Sequence, residues 1–134
     1  MSYRFSTLSA GVFGLTGVAL GALGAHGPLR VFLDQQGTHA SWETAVHYQL
    51  IHALALLGGA IWLQLDQVQS RTRLLWATRW WTLGIIFFSG SIYTLAVGGP
   101  KFLGPLTPLG GIALMLGWCC VIAAAAGPRS LPRN

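Results

Sequence analysis

FSTLSAGVFGLTGVALGALGA, residues 5–25, contains no charged residue. A membrane-crossing helix needs about 20 mostly apolar residues, so this stretch is long enough to span a bilayer. A secretory signal has a shorter apolar core, roughly 7–15 residues. The segment is therefore read as a retained span, despite its basic start at Arg4 and the small residues Ala22 to Ala25. Ala10, Gly14, Gly17, Gly21 and Gly24 recur at intervals of four and three, which places them on one helical face. Apolar contact between helices gains little in lipid, and close backbone approach through small residues matters instead. The stripe Gly14, Gly17, Gly21 and Gly24 is expected to pack against another helix, either within the chain or in a second subunit.

Three further apolar stretches follow the same logic. Residues 44–65 are interrupted only by His47, Gln49, His52 and Gln64, residues 76–97 belong to a helix expected to start near Ser70, and residues 106–126 carry no charge and include Cys119 and Cys120. Thr107-Pro108 reads as an N-cap followed by a first-turn proline. Gly27-Pro28, Gly98-Gly99-Pro100, Gly104-Pro105 and Gly127-Pro128 separate or end the spans. Leu29, Phe32 and Leu33 at helical spacing, with Gly37 as a stop, predict a short interfacial helix between the first two spans. The expectation is an all-α chain of 134 residues forming one integral membrane domain, a four-transmembrane-helix bundle closing on itself. Composition agrees: 53% of residues are hydrophobic and 8% charged, against about 25% charged in soluble domains. A soluble globule and a disordered chain are both excluded.

The net charge of +5 is scattered rather than gathered on one face, so it signals topology and not a nucleic-acid partner. Arg4, Arg71, Arg73, Arg79, Arg129 and Arg133 fall on one side of the four spans, and Arg30 and Lys101 on the other. Six cations against two predict both termini in the cytoplasm. Trp62, Trp76, Trp80 and Trp81 are then expected as a cytoplasmic aromatic belt, with Trp42 serving the opposite interface. The adjacent cysteines read as small buried hydrophobes.

Polar residues concentrate in the outer half. Tyr48, Gln49 and His52 occupy the outer turns of span two, Ser91 and Tyr93 reach that depth from span three, His26 ends span one and Thr107 opens span four. Polar groups at this depth need partners or water. One reading is a structural knot of hydrogen bonds among Tyr48, Gln49, His52 and Tyr93. A second is a small-molecule, quinone or proton-linked site, since histidine titrates near neutral pH. A third is a metal or haem site drawing on His26, Glu43, His47 or His52, whose spacing matches no recognised motif. No metal site or cofactor is predicted, and no catalytic constellation is present.

Several segments in this order resemble the YgdD-like family of small bacterial inner-membrane proteins, which has mitochondrial relatives. They are Gly21-Ala-Leu-Gly-Ala-His-Gly27, Trp42-Glu-Thr-Ala-Val-His-Tyr-Gln49, His52-Ala-Leu-Ala-Leu-Leu57, Phe88-Ser-Gly-Ser-Ile-Tyr93, Thr107-Pro-Leu-Gly-Gly111 and Gly117-Trp118. The resemblance covers most of the chain. It implies four helices, no settled activity, and a pattern matched here at Ala25, His26, Tyr48, Gln49, His52, Ser89, Gly90, Ser91, Tyr93, Thr107 and Pro108. Position 47 lies outside that pattern. The lead expectation is a non-enzymatic structural or accessory component of the membrane, alone or bound to a larger complex. The alternative is a ligand- or redox-linked site at the outer polar residues.

Overall fold

A computed structural model describes residues 3–65 and 70–126. The regular elements there are all helical: α1 (Tyr3–Ala25), α2 (Gly27–Gln36), α3 (His39–Leu65), α4 (Arg71–Ala96) and α5 (Leu106–Ala125), with a 3-10 turn at Lys101–Leu103. The expected stop at Gly127-Pro128, the tail cations Arg129 and Arg133, and Asp66 fall outside the described residues.

Three segments are long and apolar enough to cross a membrane: α1, α3 and Lys101–Ala125, which contains α5. α4 matches them in length at 26 residues, but its first half carries Arg71, Arg73, Arg79 and three tryptophans. The apolar side chains face outward as a bilayer requires. Leu15 is 74% exposed and Leu54 70%, an arrangement that would aggregate in water. Helix boundaries overrun the apolar boundaries. α3 begins at His39 rather than Thr44, and α4 at Arg71, beside the start expected near Ser70 and ahead of the span at 76–97. Polarity marks where lipid ends, whereas backbone hydrogen bonding continues through polar residues.

The long helices pack in a row. α1 lies on α3, α3 on α4, and α4 on α5, while α1 and α5 share no comparable interface among the described residues. The expected ring is thus an open series. Its core has three levels. Leu33, Trp42 and Ala96 meet near α2. Ala10, Leu56, Ala77, Trp81, Ile85 and Leu114 fill the middle. Leu63, Leu74 and Ala124 close the end where α3 gives way to α4.

The ends are tied by specific hydrogen bonds. His26 is extended and Gly27 has φ 72°, which turns the chain sharply from α1 into α2. Gly37, at φ 67°, caps α2 in the left-handed region, and Thr38 N–H donates to Leu33 O at 2.9 Å. The Thr38 hydroxyl then donates to Ala96 O at 2.9 Å, joining this corner to the last turn of α4. At the other end Arg71 reaches Leu63 O at 3.2 Å, Arg73 reaches Ala123 O at 2.7 Å, and Ser70 reaches Ala124 O at 2.9 Å. These donors satisfy carbonyls that the last turns of α3 and α5 would otherwise leave open.

Three expectations change. Trp42 and Trp81 do not sit in interfacial belts: they are 5% and 2% exposed, because neighbouring glycines open room for them inside the bundle. Trp76 remains outward and Trp62 and Trp80 are half-buried. Cys119 is exposed and Cys120 half-buried, both as free thiols.

Candidate functional site

Gln49 is the centre of the polar arrangement and is 3% exposed. It sits on the face of α3 that meets α1, where Gly17 leaves room: a Cβ at Gly17 would fall 2.7 Å from Leu50 and 3.3 Å from Gln49 Nε2. Gln49 Nε2 donates to Phe13 O at 2.9 Å and to Thr16 Oγ1 at 2.8 Å. Thr16 gives its own proton to Val12 O at 2.8 Å, which leaves its oxygen free to accept. Tyr93 Oη donates to Gln49 Oε1 at 3.0 Å. A carbonyl cannot donate, so Phe13 O fixes which end of the amide carries nitrogen. One side chain therefore links α1, α3 and α4.

Trp42 makes a parallel hook. Its indole N–H donates to Leu20 O at 3.0 Å, and its ring lies 4.7 Å from that of Tyr93. Gly24 is what admits the indole, since a Cβ there would collide with Trp42. Ser89, fully buried, donates to Ala45 O at 2.9 Å and ties α4 to α3.

His52 belongs to a second linkage. Nδ1 lies 2.7 Å from Tyr48 O, and Nε2 lies 3.1 Å from the indole nitrogen of Trp118 on α5. The carbonyl only accepts and the indole only donates. Nδ1 therefore carries the proton and Nε2 presents its lone pair, so the ring is neutral with both nitrogens engaged. No nitrogen remains to ligate a metal or haem iron in this arrangement. Tyr48 stacks on His52 at 6.0 Å and touches Phe88 at 4.8 Å, and is itself 43% exposed. Trp81 stands edge-on to Trp118 at 4.9 Å, and its buried indole N–H has no partner among the described residues.

A third linkage joins α4 to α5. Ser91 Oγ donates to Phe88 O at 3.0 Å and lies 2.7 Å from Thr107 Oγ1. Thr107 is thus a bridging residue and not the expected cap: α5 starts at Leu106, behind Pro105, with no side-chain cap.

The expected residues therefore form three linkages rather than one cluster. Gln49 meets Tyr93, His52 meets Tyr48, and Ser91 meets Thr107. His26 joins none of them; it is exposed at the turn into α2. Gly14 likewise differs from its stripe. A Cβ at Gly21 would touch Val46 at 3.2 Å, whereas one at Gly14 meets nothing within 4 Å. Glu43 faces His39 at 3.7 Å rather than His47. No group of three or more His, Cys, Asp or Glu suited to a metal ion occurs among the described residues. The partners that sequence reasoning missed are Thr16, Trp42 and Trp118. Thr16 was detectable as a hydroxyl in mid-span beside Gly17.

Beside the His52–Trp118 bond a groove of about 480 Å³ opens between α3 and α5, bordered by Tyr48, Phe88, Ile112 and Met115. A more apolar groove of about 530 Å³ runs between α1 and α3 along Gly11, Gly14, Leu50 and Leu54.

Residues 20–111 match a family model described as a protein of unknown function (DUF423). The chain is 34% identical over 129 residues to UPF0382 inner membrane protein YgdD of Escherichia coli K12, covering 93% of this chain and 92% of that one. It is 39% identical over 114 residues to UPF0382 membrane protein YwdK of Bacillus subtilis, covering 83% and 87%. UPF0382 membrane protein SH2409 of Staphylococcus haemolyticus is 37% identical over 105 residues, covering 78% and 81%. No solved structure matches. With the family model covering more than half its length, and with relatives named as membrane proteins aligned almost end to end, the chain belongs to the DUF423 family of membrane proteins of unknown function.

Proposed function

We propose that this is a four-span inner-membrane protein with both termini in the cytoplasm, acting as a non-enzymatic structural or accessory component. α4 is the fourth span in this reading, with its arginine-rich first turns at the cytoplasmic surface. The observation that carries the proposal is the state of His52 and Gln49. Both His52 nitrogens, and both ends of the Gln49 amide, are committed to other parts of the bundle. Side chains used in this way hold helices in register and are not free to react. The partner in such a role is the bilayer itself, together with a larger membrane complex. Purification from native membranes in mild detergent tests it: the chain is expected to travel with other membrane proteins, and migration alone would defeat the accessory role. Cysteine labelling of single sites at Arg4 and Lys101 tests topology, with labelling from the outside expected only at residue 101.

A second reading has its own observation. The groove between α3 and α5 exposes the Tyr48 ring and the edge of the His52–Trp118 pair. A small apolar molecule, a quinone among them, seated there would place an acceptor near Tyr48. Retention of such a molecule by the wild type and not by Tyr48→Ala would favour this reading over the structural one.

A further inference from the structure

The cations of α4 divide by what they touch. Arg71 and Arg73 each donate to a helix-terminal carbonyl, of Leu63 and Ala123. On α2, Arg30 holds Asp34 at 2.7 Å. Arg79 has no such acceptor among the described residues; its guanidinium lies 4.8 Å from the centroid of the Trp76 ring. An arginine keeps its charge in a protein and offers five N–H donors. An indole face attracts the charge but leaves those donors unfilled.

The position of Arg79 makes this consequential. Trp76, Arg79, Trp80, Leu83, Ile86 and Phe87 follow helical spacing and share one face of α4. Leu83, Ile86 and Phe87 are all exposed, so this is the face turned away from α3 and α5. Trp80 tilts toward Trp76 at 6.3 Å, so the indole that holds the cation has a second indole beside it. Aromatic rings of this kind settle at headgroup level. A charge on a lipid-directed face stays at the headgroup level or binds something found there.

We propose that Arg79, held by Trp76 and flanked by Trp80, is a binding site for the phosphate of an anionic phospholipid. The guanidinium fork matches two phosphate oxygens, and the indoles border the glycerol region. Net negative charge is favoured over a zwitterionic headgroup because Arg71 and Arg73 share the first half of α4 with Arg79 and add to the positive potential there. The site rests on α4 crossing the membrane.

Native mass spectrometry of the full chain tests this in mild detergent, with phosphatidylglycerol and phosphatidylcholine supplied in equal amounts. The wild type is expected to retain one phosphatidylglycerol in preference. Arg79→Gln is expected to lower that retention about fivefold, the equivalent of one cation near an anionic surface. Arg71→Gln, which removes the same charge from a residue already bonded to protein, is expected to change it less than twofold. Trp76→Leu, which keeps the charge but removes the indole, is expected to lower it by an intermediate factor and provides the reading if Arg79→Gln does not fold. Equal retention of both lipids by the wild type overturns the proposal, and so does equal loss in Arg79→Gln and Arg71→Gln. The spanning of α4 is read separately, by labelling Leu83→Cys with a water-soluble thiol reagent. Strong labelling defeats the span, whereas protection combined with unchanged lipid retention in Arg79→Gln defeats the site alone.

Discussion

The α1–α3 and α4–α5 interfaces solve the same problem differently. Between α1 and α3 the glycines admit side chains: Gly17 takes Leu50, Gly21 takes Val46, and Gly24 takes the Trp42 indole. α3 then grips α1 by donating from Gln49 and Trp42 to main-chain oxygens. Between α4 and α5 Gly117 likewise admits the Trp81 indole, but elsewhere the approach is closer. A Cβ at Gly110 would strike the backbone of Phe88, and one at Gly84 would meet Leu114, including its main-chain nitrogen at 3.0 Å. Side-chain hydrogen bonds there are few, Ser91 to Thr107 being the one inside the span. With little hydrophobic driving force between helices in lipid, one pair associates by hooks and the other by backbone proximity.

The contrast makes its strongest prediction at Gly110. Backbone cannot move aside as a leucine tip can, so Gly110→Val is expected to destabilise by about 3 kcal/mol or more. Thermal unfolding in detergent measures it, and an unchanged midpoint would erase the distinction between the interfaces. Gln49→Leu comes next. It removes three interhelical bonds at roughly 0.6 kcal/mol each, about 2 kcal/mol together. A loss much below that would mean the hooks are incidental to packing. Gly17→Leu is expected to cost about 1–2 kcal/mol because Leu50 must shift. Gly14→Leu, three residues earlier on the same stripe, should stay within about 0.5 kcal/mol. Equal losses at the two positions would show that the stripe acts as a whole. Trp118→Phe, which keeps an aromatic ring and removes one bond to His52, is expected to cost about 0.6 kcal/mol. A far larger loss would make the His52–Trp118 pair a keystone of the bundle.

Much of this fold was legible in the sequence, and the illegible part has a physical cause. Charge-free length located α1, α3 and α5, and Leu29, Phe32 and Leu33 located α2. The spacing of Gly17, Gly21 and Gly24 marked a packed face. Depth alone put Gln49 near Tyr93 and Ser91 near Thr107. What depth cannot supply is rotation about each helix axis. Trp42 and Trp81 sit near span ends in sequence, as belt residues do, yet their helices turn them inward. Trp118 reaches His52 through the same rotational setting, which no periodicity within α5 reveals. His26 shares the depth of the cluster but not its company, because the left-handed turn at Gly27 points the chain away. Gly14 keeps the period of its stripe and still faces the groove between α1 and α3.

The oxygens of Phe13 and Leu20 lie about two helical turns apart along α1, roughly 10 Å. Each serves its own helix and then receives a second donor from α3. During synthesis α1 emerges before α3, with Thr7 and Thr16 donating within their own helix. It can enter the bilayer before α3 is made. α3 cannot do so as cheaply, because its buried glutamine requires acceptors that only the earlier segment provides. The two oxygens of the first helix therefore fix both the depth and the rotation at which the second long one rests against it.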